Sequence, residues 1–325
     1  MKRRFRLAGA LAVVVAGASV TVFAETNLYV SADGSNAFKT VQAAINATPQ
    51  SACATNPCIV HIKAGTYKEL IYAQREKHFV HLVGDGADKT ILTFNLGAKT
   101  PGADGKPIST HRTQSTDIDA DDFTAENLTF ENTATGLGQA VALRVDGDRD
   151  VFRNCRFLGL HDTIFLNRGR QYFEGCYIAG EVDFIFGGAT AFFEKCHIHC
   201  LTNGYITAAS TPIEQPFGFV FSNCRITGES PGVKTYLGRP WRQYSSVIYL
   251  NTEMSGVVRP EGWFNWNDPA REKTARHAEF NSTGPGADPK ARVPWSRQLT
   301  ADEAKAITVE KVLGGADGWN PTKDR

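Results

Sequence analysis

Four segments of the chain share one frame: an aromatic residue, two polar or small residues, a cysteine, any residue, and an apolar residue. They are Phe152-Arg153-Asn154-Cys155-Arg156-Phe157, Phe173-Glu174-Gly175-Cys176-Tyr177-Ile178, Phe193-Glu194-Lys195-Cys196-His197-Ile198 and Phe221-Ser222-Asn223-Cys224-Arg225-Ile226. Ala125-Glu126-Asn127-Leu128-Thr129-Phe130 fits with Leu in place of Cys, and Leu250-Asn251-Thr252-Glu253-Met254 is a degraded copy. The fourth position falls at residues 128, 155, 176, 196, 224 and 252, in steps of 27, 21, 20, 28 and 28 residues. Recurrence at such steps marks a solenoid, whose units bury their apolar faces only against their neighbours.

The frame also distinguishes strand from helix. The Cys and the apolar residue after it are two apart, which is strand period. The aromatic three before the Cys would face the other way on a continuous strand, so a bend at the Asn, Gly or Lys between them must reset the phase. Two short strands joined by that corner, with a longer irregular arm, describe one coil of a parallel β-helix. The wealth of Val, Ile, Phe, Tyr and Thr against 2 Met agrees with strands. At the ends, Phe38, Val41, Ala44 and Ile45 have helical spacing, and Thr300-Ala301-Asp302-Glu303 has the pattern of a capping box opening a helix that Gly314 ends. The expected fold is all-β, a parallel β-helix with short capping helices at both ends.

Residues 1–24 have the form of a secretory signal peptide: a basic start (Lys2, Arg3, Arg4, Arg6), an apolar run from Leu7 to Val22, and Ala24 before the cleavage point. Residues 25–325 then form a single domain. The full chain has 35 basic and 34 acidic residues; losing four basic ones leaves 31 against 34, about −3. With 42% hydrophobic and 21% charged residues, the chain is neither disordered nor a many-span membrane protein, and its charge gives no reason to expect nucleic acid. Export permits disulfides, for which Cys53–Cys58 and Cys176–Cys196 are candidates. Seven is an odd count, so at least one thiol is left over or pairs elsewhere.

Asp162 lies seven residues after Cys155, and Asp183 seven after Cys176. Equivalent positions on successive coils are about 4.8 Å apart, so the two carboxylates interact. They cannot both ionise freely: one should hold a proton near neutral pH while the other, supported by a cation, stays charged. Asp183 is set in the apolar run Val182-Asp183-Phe184-Ile185-Phe186, where an unpaired charge is costly.

Further segments carry a resemblance. Gly65-Thr66-Tyr67-Lys68-Glu69, Gln139-Ala140-Val141-Ala142-Leu143, His161-Asp162-Thr163-Ile164-Phe165, Asp183-Phe184-Ile185-Phe186-Gly187 and Leu237-Gly238-Arg239-Pro240-Trp241 follow in the order and approximate spacing of the pectin methylesterase signature motifs. Ala278-Glu279-Phe280 through Ala287 resembles that family's C-terminal segment. The chain from about Leu28 to Trp319 thus resembles a pectin methylesterase (pectinesterase) of the bacterial secreted type. The resemblance implies a right-handed parallel β-helix and hydrolysis of the methyl ester of galacturonate units in pectin, with neither metal nor cofactor. It implies Asp183 as nucleophile, Asp162 as general acid and then base, Gln139 as oxyanion donor, and Arg239 as the cation orienting Asp183. The expected enzyme is a monomer with pectin as its partner, secreted to the periplasm or the medium and free of the membrane after cleavage.

Two positions depart from the family pattern. His161 stands where a Gln, a second oxyanion donor, is usual; an imidazole can donate one N–H there, with sensitivity to its protonation state. Phe165 replaces a Tyr, keeping a ring for sugar contact and losing a hydroxyl. Phe186, Trp241 and Trp266 complete the expected aromatic platform. Alternatives are a weakened or diverted family member acting on another ester or only binding polysaccharide, and a β-helical glycosidase, since paired carboxylates also serve a retaining mechanism. Gly228-Glu229-Ser230-Pro231-Gly232 matches a serine-esterase elbow, but Pro231 lacks the N–H that mechanism uses, so a surface turn is expected. His197 and His199 beside Cys196 and Cys200 do not suggest zinc, because the frame turns Cys196 inward and His197 outward.

Overall fold

The computed structural model describes residues 26–323, so the expected signal peptide lies outside the described residues. The frame aromatics fall on one parallel sheet of 11 strands. Within it Phe152, Phe173, Phe193, Phe221 and Tyr249 are register partners on successive coils. Their rings stack inside the coil at centroid distances of 4.7, 4.7, 4.5 and 4.5 Å. After each aromatic comes the corner: Asn127, Asn154, Gly175, Lys195, Asn223 and Asn251 all have φ between 48° and 63°. That left-handed turn, which Asn and Gly tolerate best, is the expected bend. It lets Phe152 and Cys155, three residues apart, both point inward, at 0% and 1% exposure.

Past the corner the chain enters a second parallel system of 13 strands. Two long strands, Tyr177–Gly187 and His197–Ala209, bend across two faces of it. Their first halves pair with Arg156–Leu158 and Arg225–Gly228. Their second halves pair with Ile164–Leu166 and Thr235–Gly238. The coil therefore has three sheet faces around one apolar interior.

The N-terminal helix, Val41–Ala47, is capped by Thr40 and buries Val41, Ala44 and Ile45 against the core. Phe38 is not part of it; it bridges Val30 in parallel pairing instead. At the other end the expected capping box forms on Thr300 and Glu303, but the helix stops at Lys305. A second helix, Val309–Leu313, starts with Thr308 as its own cap and ends at Gly314. This pair covers the outer face of the 11-stranded sheet, where Ala304, Val312 and Leu313 cluster with Val151, Tyr172, Phe192, Val220 and Ile248. Strand alternation explains the placement: with Phe152 inside, Val151 points out and needs cover.

Neither candidate disulfide forms; all seven cysteines are free thiols. Cys53 is exposed whereas Cys58 points into the interior. Cys176 and Cys196 donate to the carbonyls of Phe152 and Phe173, at 3.4 and 3.6 Å. The repeat thus builds a ladder of buried thiols satisfied by backbone.

Candidate active site

Asp162 lies in the turn between Arg156–Leu158 and Ile164–Leu166, and Asp183 lies within Tyr177–Gly187. A parallel bridge joins His161 to Val182, and the Asp162 N–H donates to the Val182 carbonyl at 3.0 Å. That register sets the two aspartates side by side, as the seven-residue offset requires. Both have left-handed φ, 66° and 52°, which turns their side chains out of the strand alternation toward a shared cleft. On the coil before, Gln139 is positioned by its neighbour, since the Ala140 N–H donates to the His161 carbonyl at 2.9 Å. Arg239 follows the strand Thr235–Gly238. Its N–H donates to the Thr207 carbonyl at 2.9 Å.

Arg239 grips Asp183 as a fork, Nε to Oδ1 at 2.8 Å and Nη2 to Oδ2 at 2.6 Å. The guanidinium is itself held between two rings, 3.7 Å from the Trp266 centroid and 3.9 Å from that of Tyr205. The fork fixes both carboxylate oxygens and keeps Asp183 the charged member of the pair. Burial pushes the Asp183 carboxyl up, with Arg239 and His161 pulling against it. Asp162 is pushed much further, to about 8, by its own burial and then by the Asp183 charge. The pair is thus divided into one carboxylate held as an anion and one that keeps its proton, although their exposures are similar, 5% and 9%. His161 Nε2 lies 3.4 Å from Asp162 Oδ1. Burial pushes the imidazole down, so it is neutral at neutral pH.

The cleft, about 260 Å³, gathers Gln139, His161, Asp162, Asp183, Phe186, Arg239, Trp241 and Trp266, eight of the nine residues singled out in the sequence. Phe165 is the exception. It is 4% exposed, stacked on Phe186 at 4.6 Å and covered by His111 at 5.3 Å, so it supports the cleft floor without forming its wall. Phe186 is equally buried, and the half-exposed rings are Trp241 and Trp266.

Sequence reasoning missed Thr110 and His111, which line the cleft from a short turn outside the repeat frame. It also missed Tyr205 beneath Arg239 and Arg271, whose Nη1 holds the carbonyl of Trp241 at 2.9 Å. Tyr205 was within reach, because it pairs with Val182 on the neighbouring coil.

Two acidic groups have ligand atoms within 4.8 Å of one another, His161/Asp162/Asp183 and Asp117/Asp119/Asp146. In the first, Arg239 already occupies both oxygens of Asp183. In the second, Arg144, Arg168 and Asn167 contact Asp146. Gly228 ends the strand Arg225–Gly228, and Glu229 to Gly232 form an exposed turn, as expected. His197 and His199 both contact the Thr227 hydroxyl, at 2.7 and 2.8 Å, on the outside of the coil.

A family model described as pectinesterase matches residues 27–316. Pectinesterase 31 of Arabidopsis thaliana is 42% identical over 282 residues, which cover 85% of this chain and 88% of that protein. Other curated relatives are longer, and the chain spans 51% of Pectinesterase 4 from the same plant. Among solved structures, pectin methylesterase from carrot superposes with a TM-score of 0.84 at 33% identity, covering 92% of this chain and 96% of that one. A pectin methylesterase in complex with a hexasaccharide superposes at 0.80 with 31% identity, covering 92% and 99%.

Proposed function

The chain belongs to the pectinesterase family, and from that premise we propose that it hydrolyses the methyl ester of galacturonate units in pectin through an acyl-enzyme on Asp183. The observation that carries the reading is the division of labour in the aspartate pair. Asp183 is forked by Arg239, and Asp162, one coil away, keeps its proton up to about pH 8.

In the first half-reaction an Asp183 oxygen attacks the ester carbonyl carbon. Charge develops on the carbonyl oxygen, where the Gln139 amide donates to it. His161, on the same wall, stands where the family resemblance calls for a second amide. The C–O bond to the methoxy group breaks, and Asp162 gives its proton to the departing oxygen, releasing methanol. In the second half Asp162, now a carboxylate, takes a proton from water. The water oxygen attacks the acyl carbon and the bond to Asp183 breaks, restoring both residues.

Trp241 and Trp266 present rings to the sugars, while Phe186 and Phe165 hold the floor. A chain with a formal charge of about −3 after signal removal gains nothing from long-range attraction to a polyanion. Binding therefore rests on these rings, Arg239 and neutral methylated units. The basic and apolar start of the sequence supports export to a periplasm or the medium, where the protein acts as a monomer. Among the described residues no helix is long and apolar enough to cross a membrane.

The test is to incubate the protein with highly methylated pectin and measure methanol and reducing ends. Methanol without new reducing ends is expected. New reducing ends would replace the esterase reading with a glycosidase, and neither product with retained binding would leave only a binding module.

A further inference from the structure

We infer that His161 is a positioning residue for Asp162 in the second half-reaction: its Nε2–H holds the Asp162 carboxylate while that carboxylate draws a proton from water. The inference rests on the reading of Asp162 as acid and base, and it follows from where charge moves during turnover.

In the free enzyme the negative charge is on Asp183, against Arg239. Acylation changes this. Asp183 becomes part of a neutral anhydride, and Asp162, having given its proton to methanol, becomes the anion. The charge has moved one coil toward the N-terminus, while Arg239, clamped between Tyr205 and Trp266, stays beside Asp183. The Asp162 side chain is only 12% exposed, so water offers it limited solvation. His161 Nε2, 3.4 Å from Asp162 Oδ1, is placed to supply the missing donor.

That separation is longer than a formed hydrogen bond, as catalytic contacts commonly are before substrate binds. The His161 backbone is fixed on both sides, its carbonyl accepting from Ala140 and its strand bridging Val182. The side chain is 34% exposed, and closing the contact asks only for a small tilt of the ring. The kind of donor matters as well. A cation at this point would strip Asp162 of its basicity, whereas an imidazole kept neutral by burial orients one oxygen and leaves the other able to accept a proton. Water then adds OH to the acyl carbon, its second hydrogen goes to Asp162, and the electron pair of the broken bond returns to Asp183.

The experiment is rapid-quench methanol release from methylated oligogalacturonate by wild type, His161→Ala, His161→Gln and Asp162→Asn, with melting curves for each. His161→Ala is expected to release a first equivalent of methanol rapidly and then turn over about 10- to 100-fold more slowly, the scale of a hydrogen bond to a charged group. His161→Gln, which restores a neutral N–H, should recover most of the steady rate. Loss of rate in His161→Ala without a burst, or no loss at all, would overturn the positioning role while leaving Asp162 in place. Steady turnover by Asp162→Asn would instead overturn the reading on which this inference rests.

Discussion

If Asp162 stores a proton for catalysis, the folded protein bears a stability cost for holding it, and Asp162→Asn should remove that cost. In the unfolded chain an aspartate loses its proton near pH 4, whereas in the fold Asp162 keeps it to about 8. Across that window the folded state binds one more proton than the unfolded state, so stability falls as pH rises, by about 1.4 kcal/mol per unit. Summed from about pH 4 to pH 7, the cost is on the order of 4 kcal/mol. Asn has the same shape as a protonated carboxyl and no proton to lose. The variant should therefore match wild type near pH 4 and exceed it by roughly that 4 kcal/mol at pH 7. Methanol release should meanwhile fall by at least about 100-fold with the general acid gone. Urea unfolding at several pH values reads the difference directly, provided the m-value is unchanged. Stability curves for the two proteins that run parallel between pH 4 and 8 would refute the claim that stacking and burial keep Asp162 protonated.

Other outcomes follow from the same geometry. Asp183→Asn should abolish methanol release with the melting transition intact, and an active variant would remove Asp183 as nucleophile. Arg239→Gln withdraws a cation whose attraction at about 4 Å and an effective dielectric near 20 is worth about 4 kcal/mol, or about three pH units. Losing the cation disfavours the charged carboxylate, so the acid limb of the kcat profile should move to higher pH, and an unmoved limb would contradict the fork's role. A thiol reagent should titrate Cys53 alone in the native protein and all seven cysteines in denaturant without reductant; fewer than seven would reveal a disulfide. Asn154→Ala, at a corner with φ 48°, should cost about 1–2 kcal/mol in unfolding measurements and Asn154→Gly less.

What could be seen in the sequence was whatever the coil repeats. Phe152, Cys155 and their counterparts recur because each coil presents the same inward positions to its neighbours, and the Asn corners recur because each coil turns the same way. That periodicity was enough to set Asp162 beside Asp183. Features that do not repeat carried no comparable signal. His111 reaches the cleft from a turn outside the frame. The break before Thr308 comes from a second local cap, and the C-terminal helices found the sheet's outer face because Val151, Tyr172 and Phe192 alternate with the inward aromatics. Phe165 looked like a sugar-facing ring from its place in the motif, yet His111 and Phe186 enclose it. The cysteines are free thiols, and no spacing shows that the inward ones meet carbonyls within reach of their hydrogens.

Repetition accounts for the nearness of the two aspartates, and it cannot account for their difference. They share a phase, a left-handed backbone and nearly the same burial. What separates them is order along the stack. Arg239 arrives from the C-terminal side, just after a strand that pairs with His197–Ala209 and so lies two coils beyond Asp183. Its fork reaches Asp183 and, among the described residues, leaves Asp162 without a cation in bonding distance, while His161 stands 3.4 Å from Asp162 with a neutral ring. Once one carboxylate is fixed as an anion, its field adds to burial in raising the other. In the proposed mechanism the roles of nucleophile and acid are therefore imposed on two equivalent positions by neighbours that are not equivalent, so the chemistry comes from the irregular residues that the regular coil holds in place.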